Sequence, residues 1–375
     1  MTSDLHIAVD CRVVDPHYPG IGRAVLEAAR AMAQDLAHDG RARRLSLLVS
    51  PGVPPPELAE LTVPGVTLVS VNARLRSPAD QWALPRALSR LRPDVYHAPY
   101  YAVPAVVPVP LVLTVHDVIP QLFPQYWPNH ALRTTIDLWT RHAIRRANRI
   151  IAVSHSTATD LARLIPSAAA KTRVVPQGVS PRPLPTMEPA DPPYLLYVGS
   201  NKPHKNLPRL VAAFALAASE VAGTLVIAGA WDEHYPQARD EARWRGLDAR
   251  VLFEHRPSDR RLDELFASAT GFVFPSLYEG FGLPVLEAMA AGLPVATSGR
   301  GSLDEVAGDA ALLFDPEDEE AMAAAMQRLL RDEELRARLA MVGRARAALF
   351  PWSRTAAGLW AVYAEAAHVG RTPRM

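Results

Sequence analysis

Short apolar, β-branched runs recur through the first half of the chain at 5–9, 45–49, 67–71, 94–97, 111–116 and 149–153. Their length and composition predict buried strands. Between them, 23–38 places Ala, Leu, Glu and Met at helical spacing and stops at Gly40, and 129–146 reads as a second long helix. Strands alternating with helices predict a parallel sheet covered on both faces. Around 180–193 the text turns Pro-rich, as Ser180-Pro-Arg-Pro-Leu-Pro and then Asp191-Pro-Pro, which suits an interdomain linker. The alternation then restarts, with strands expected at 194–198, 224–228, 250–253, 271–274 and 294–297. The Ala/Arg/Glu-rich stretch 318–349 reads as helical, and 352–368 as a last helix. The expected fold class is therefore α/β, with two Rossmann-like doubly wound domains facing across a cleft. The first is expected over 1–187, with 352–375 packing back on it, and the second over 188–351. Ligands of such sheets sit at the carboxyl ends of the strands.

At 375 residues the chain exceeds what one core usually supports, in keeping with two domains. Lys plus Arg number 40 and Asp plus Glu 39, so no overall field favours nucleic acid. The single cysteine, Cys11, excludes an intramolecular disulfide and a multi-cysteine metal site, and is compatible with a reducing cytoplasm. Residues 1–10 lack the basic and long apolar stretches of a signal peptide, and no run of eighteen apolar residues occurs, so a cytoplasmic protein is expected.

The densest chemistry lies in Pro275-Ser-Leu-Tyr-Glu-Gly-Phe-Gly-Leu-Pro-Val-Leu-Glu-Ala-Met-Ala-Ala-Gly292. A strand ends at Phe274, a glycine-containing loop follows, Pro284 suits the first turn of a helix, and Gly292 suits its end. Such a helix N-terminus is a ready anion site, and Gly280 and Gly282 let a ligand approach the backbone. Glu279 and Glu287, eight positions apart, can both face the ligand. The plainer alternative is a surface loop with one solvated and one capping glutamate.

This phrase resembles the Glu-x7-Glu signature of the family-four retaining glycosyltransferases of GT-B architecture. Five further segments are similar to that family's, in the right order: Asp10-Cys-Arg with Gly20-Ile-Gly-Arg23, Thr114-Val-His-Asp117, Gly199-Ser-Asn-Lys-Pro-His-Lys-Asn206, Ser302-Leu-Asp-Glu-Val-Ala-Gly-Asp309, and Pro351-Trp-Ser-Arg354. The resemblance implies a hexosyltransferase that moves a sugar from a nucleotide diphosphate with retention at the anomeric carbon. It implies that Lys205 binds the diphosphate, that Glu279 contacts the donor sugar, and that His116 hydrogen-bonds the sugar or its leaving phosphate. Gly199, Gly280, Phe281, Gly282 and Leu283 belong to the implied donor site, and Glu287 accepts from the ribose hydroxyls. Gly20 and Gly22 form a loop over the phosphates, with Arg23 beside it. Relatives carry an arginine after the first glycine where this chain has Ser200, and Lys202 stands as its replacement. Base contacts are implied around 251–255, and the first domain is the acceptor side.

No Asp-x-Asp triplet occurs, so neither a metal nor any other cofactor is expected. Pro203-His-Lys-Asn206 looks like the phosphate loop of bacterial mannosyltransferases that build cell-surface polysaccharides, which implies GDP-mannose as donor and a glycan or lipid-linked acceptor. Aromatics at 123–128 and the cations Arg141, Arg145 and Arg149 suggest peripheral contact with an inner membrane face; solvation of a helix end explains the same cations. Two alternatives stay open: a nucleotide-sugar epimerase of the same fold, and a non-catalytic two-lobed sugar-binding protein.

Overall fold

The run LHIAVD forms β1 (Leu5–Asp10), buried at every position. β4 (Val95–Ala98) and β5 (Leu111–Val115) are likewise buried throughout. A strand covered on both faces has no solvent side, so its sequence reads as a continuous apolar run rather than an alternating one. The computed structural model describes residues 5–15, 19–39, 43–126, 129–181, 184–187 and 190–371. Gly40, Trp127, Pro128, Arg182, Pro183 and Pro189, with 372–375, lie outside them.

The chain divides into two units, Met1–Gly178 with Trp352–Met375, and Val179–Pro351. The division thus falls ahead of 187/188, before the Pro-rich text. In the first unit β2 (Arg43–Val49), β3 (Val66–Ser70), β6 (Arg149–Ala152) and β7 (Thr172–Val174) complete a seven-stranded sheet of order β3-β2-β1-β4-β5-β6-β7. Every pairing is parallel, with Val9 opposite both Leu47 and His97. The first long helix, Pro19–Asp39, and the last, Trp352–Arg371, place Val25, Ala29 and Met32 in one buried cluster with Leu359, Tyr363 and Ala366.

The second unit repeats the plan. β8 (Tyr194–Val198), β9 (Thr224–Gly229), β10 (Val251–His255), β11 (Gly271–Phe274), β12 (Val295–Ser298) and β13 (Ala311–Phe314) run parallel in the order β10-β9-β8-β11-β12-β13. In each sheet the order reverses beside its first strand, between β1 and β4 and between β8 and β11. Sheets of this winding bind ligands at that reversal.

Three features differ from the reading of the sequence. Gly20 and Gly22 are not in a loop; both lie in the first turn of the helix Pro19–Asp39. A Cβ on Gly22 would sit 2.7 Å from the Val13 carbonyl oxygen, so close helix packing, not loop freedom, requires that glycine. The stretch 318–349 is two helices, Glu319–Arg331 and Glu333–Ala347, because Asp332 leaves helical geometry and caps the Leu335 N–H. The edge strands β7 and β13 were unforeseen; β7 has three half-buried residues, too few to show a pattern.

Candidate active site

Gly199 follows β8 and the segment 275–282 follows β11, so both loops leave the sheet where its order reverses. Backbone packing fixes the first loop. The Gly199 N–H donates to the Ala228 carbonyl at 2.9 Å, and a Cβ on Gly229 would sit 2.1 Å from the Gly199 oxygen. Buried Asn201 accepts from the Asp232 N–H at 2.7 Å and donates to the Asp232 and Tyr235 carbonyls, each at 2.8 Å. One 3-10 turn, Pro203–Lys205, then presents Lys205. Asn206 takes the left-handed conformation with φ 60°, and its amide donates to Pro275 O at 3.2 Å and Pro316 O at 2.7 Å. The Leu277 N–H donates to His204 O at 2.8 Å, which joins the two loops directly.

Across that seam Lys205 Nζ lies 2.5 Å from Glu279 Oε1 and 5.3 Å from the centre of the Phe274 ring. The two charged side chains are 15% and 11% exposed. Burial works to raise the Glu279 pKa, but the charge and hydrogen bond of Lys205 hold it below the usual carboxylate range. Burial, reinforced by Lys205, pushes His204 down to about 3, so its ring is neutral at pH 7. Ser302 Oγ donates to the Glu279 carbonyl at 2.8 Å and fixes the backbone behind the carboxylate.

Glu279 leads through Gly280 and Phe281 to Gly282, which caps the helix Leu283–Ala291 at φ +103. A Cβ there would sit 2.5 Å from Leu303 Cδ2, so both conformation and space demand glycine. The helix dipole makes this end positive, although Pro284 carries no N–H and the Val285 and Leu286 N–H groups donate to the Gly282 carbonyl at 3.0 and 3.4 Å. Glu287 lies half-buried in the second turn, and the helix ends on Gly292 at φ +80. Phe281 is buried and packs edge-on against Phe350 at 6.0 Å, a core contact. Lys202 is exposed at the start of the 3-10 turn.

In the first unit His116 follows β5. Its Nε2 is 3.0 Å from the Pro99 carbonyl and its Nδ1 is 3.1 Å from Gln177 Nε2. A carbonyl only accepts, so Nε2 carries the proton and Nδ1 accepts from the amide. Burial pushes the His116 pKa down to about 4, against the pull of the Pro99 carbonyl, and the ring is neutral at pH 7. His97, which lines the same apolar cavity, is bonded to Thr114 Oγ1 and to Tyr363 Oη, each at 2.8 Å.

Asp10 and Arg12 do not reach outward. Arg12 grips Asp10 through Nε at 2.8 Å and Nη2 at 2.7 Å, and Asp80 through Nη1 at 2.6 Å. Tyr96 Oη donates to Asp10 at 2.7 Å, and all four residues are buried. This is a sealed ion cluster at the end of β1. Gln177, Asp80 and Tyr96 carried no signal in the sequence, because each acts through partners distant along the chain, whereas Asn201 and Asn206 stood inside the Gly199–Asn206 phrase without a role of their own.

The strand order defines a Rossmann-type architecture built twice, and in the second unit glycine-containing loops, one of them carrying Lys205, leave the sheet at its reversal. Residues 185–346 match the family described as glycosyl transferases group 1, and 19–182 match glycosyltransferase family 4. The chain is 32% identical over 285 residues to O-antigen chain mannosyltransferase B of Escherichia coli, covering 71% of this chain and 73% of that one. A 113-residue stretch is 44% identical to the MMP alpha-(1->4)-mannosyltransferase of Mycolicibacterium hassiacum, covering 29% and 28% of the two chains. The sucrose-phosphate synthase of Thermosynechococcus elongatus superposes with a TM-score of 0.72 at 21% identity, over 96% of this chain and 98% of that one. The chain belongs to the group 1, family 4 glycosyltransferases, and its two parallel-sheet units are those of the GT-B fold.

Proposed function

We propose that this glycosyltransferase moves mannose from GDP-mannose to a glycan or lipid-linked acceptor in cell-surface polysaccharide synthesis, with retention and without a metal. The observation that carries the reading is the Lys205–Glu279 pair at the reversal of the second sheet, beside the N-terminus of the helix Leu283–Ala291. An ammonium and a helix N-terminus together suit a diphosphate. The mannosyl assignment is supported by what the Escherichia coli and Mycolicibacterium hassiacum relatives are named for.

In this account the acceptor hydroxyl attacks the anomeric carbon on the face from which the diphosphate leaves. The bond from carbon to the leaving oxygen breaks, a new carbon–oxygen bond forms on the same face, and a diphosphate oxygen takes the hydroxyl proton. Charge gathers on the departing diphosphate, where Lys205 and the positive end of the helix Leu283–Ala291 meet it. Glu279 turns from counter-ion of Lys205 to acceptor for donor-sugar hydroxyls, and Glu287 accepts from the ribose. Gly199, Gly280, Gly282 and Leu283 line the donor, and Lys202 serves as the second cation. His116 serves a sugar hydroxyl rather than the phosphate, because a neutral ring whose Nε2 proton is already given to Pro99 can only accept at Nδ1. Gly22 acts through the packing of its helix, a demand that Gly20, with nothing within 4 Å of a Cβ, does not share.

One surface of the first unit favours membrane contact. On the helix His130–Arg146, Leu138 is 61% and Trp139 38% exposed, and Arg145 and Arg146 are exposed beyond them. Arg141 is tied to Asp137 and Arg149 to Glu365, so the cations aimed outward are Arg145 and Arg146. No helix among the described residues is long and apolar enough to cross a membrane. Calorimetric titration tests the donor: GDP should bind and UDP should fail, and tight UDP binding with no GDP binding would overturn the GDP-mannose reading.

A further inference from the structure

We infer that Gln177 is a positioning residue for His116, holding the ring proton on Nε2 and leaving Nδ1 as the hydrogen-bond acceptor of the site. Gln177 is 8% exposed, and its amide nitrogen lies 3.1 Å from Nδ1. The opposite ring nitrogen is held at 3.0 Å by the Pro99 carbonyl, a group without a proton to give. Were the Gln177 amide reversed, its oxygen would face Nδ1 and both ring nitrogens would need protons. That is an imidazolium in surroundings that penalise its charge. The neutral ring and the carbonyl of Pro99 therefore fix the amide orientation, and the amide in turn fixes the tautomer.

The backbone around Gln177 is itself anchored. Thr355 Oγ1 donates to the Pro176 carbonyl at 2.8 Å, and a Cβ on Gly178 would sit 2.7 Å from Trp352. Gln177 is thus held from both sides by the start of the last helix, within the same unit as His116. The titratable neighbour of the ring is His97, which burial pushes down to about 3, so it brings no charge at working pH. A donor hydroxyl that reaches Nδ1 takes over the bond the amide makes, so Gln177 holds the ring ready until the hydroxyl arrives. The kinetic part of this inference rests on His116 serving the donor; the tautomer does not.

Two variants and two readouts test it. Gln177→Leu removes the N–H at nearly unchanged size, and Gln177→Glu replaces it with a group that can only accept. In protein labelled with 15N-histidine, with His116→Gln identifying the resonances, the wild type should show the Nε2–H tautomer. Gln177→Leu should shift the Nδ1 resonance toward that of an unbonded nitrogen. Gln177→Glu should favour the doubly protonated ring and raise its titration midpoint, so that half-protonation occurs at a proton concentration at least tenfold lower than in the wild type. Unmoved resonances in both variants would overturn the inference whatever the donor proves to be. On the kinetic side, Gln177→Leu should lower kcat about tenfold or more with donor KM little changed, the pattern of a misheld imidazole. Altered resonances with unaltered kcat would leave Gln177 as tautomer-setter and remove His116 from the donor reading.

Discussion

Lys205→Met is the most informative single change in the second unit, because it removes a charge and keeps the stem. Glu279, 11% exposed at its side chain, would then be a largely buried carboxylate with its cationic partner gone. Losing one member of a buried pair costs about 3–5 kcal/mol. Protonation sets a ceiling on that cost: a glutamate that titrates near 4.3 when unfolded takes about 4 kcal/mol to protonate at pH 7. The destabilisation should therefore shrink by about 1.4 kcal/mol for each unit the pH falls, to about 1 kcal/mol at pH 5. The direction follows from the two pKa shifts. In the wild type the Glu279 pKa is lowered, so its contribution is fully present above the unfolded value and is lost only as pH falls below it. In the variant, burial keeps its upward push with only Ser276 and His204 still against it, so the pKa rises and stability is lost as pH rises through the range 5–8. Urea denaturation followed by circular dichroism at pH 5, 6, 7 and 8 reads this slope, and Glu279→Gln in the same background should flatten it. A variant equally destabilised at pH 5 and pH 8 would show that Glu279 does not depend on Lys205 for its charge, and the electrostatic account of the site would fail.

Turnover of the donor should fall at least ~10²-fold in Lys205→Ala and in Glu279→Ala, the scale of losing one charge-stabilising group, and near-normal kinetics in both would put the site elsewhere. Glu287→Ala should act on donor KM more than on kcat, since a ribose contact is similar in ground and transition states; a pure kcat effect would contradict the ribose role. Activity should persist in excess EDTA, and complete loss restored by Mg²⁺ would end the metal-free mechanism. Arg145→Ala with Arg146→Ala should weaken binding to anionic vesicles by about 2 kcal/mol at low salt, roughly thirtyfold, whereas equal partitioning would remove the patch from the argument.

What the sequence disclosed and what it hid divide along a physical line. Gly282 and Gly292 were legible because the demand on each is local: a helix begins after one and ends on the other, both at positive φ. The pairing of Lys205 with Glu279 was partly legible, since each sits in a strand-to-helix loop and parallel winding brings such loops together. Gln177 was not. Its significance comes from a ring 61 positions earlier, and nothing in Pro176-Gln177-Gly178 distinguishes an amide that sets a tautomer from one in solvent. Asp80 and Tyr96 were hidden in the same way behind Arg12, with separations of 68 from Arg12 and 86 from Asp10.

Gly20 and Gly22 mark the opposite hazard, where a pattern was visible but admitted two causes. Glycines spaced by one residue suit a phosphate loop, and they equally suit a helix whose first turn must pass close to another backbone. The gap of 2.7 Å between a Cβ at Gly22 and the Val13 carbonyl supplies the second cause at Gly22 and not at Gly20. A substitution tells the two apart. Gly22→Ala should destabilise the first unit by forcing the helix off the segment Cys11–Val13, whereas Gly20→Ala, with nothing within 4 Å, should be tolerated. A phosphate loop would give the reverse emphasis, with both changes weakening donor binding while the melting temperature held. Equal melting temperatures for the two variants, with donor affinity lost in each, would assign both glycines to the phosphates and overturn the packing account of Gly22.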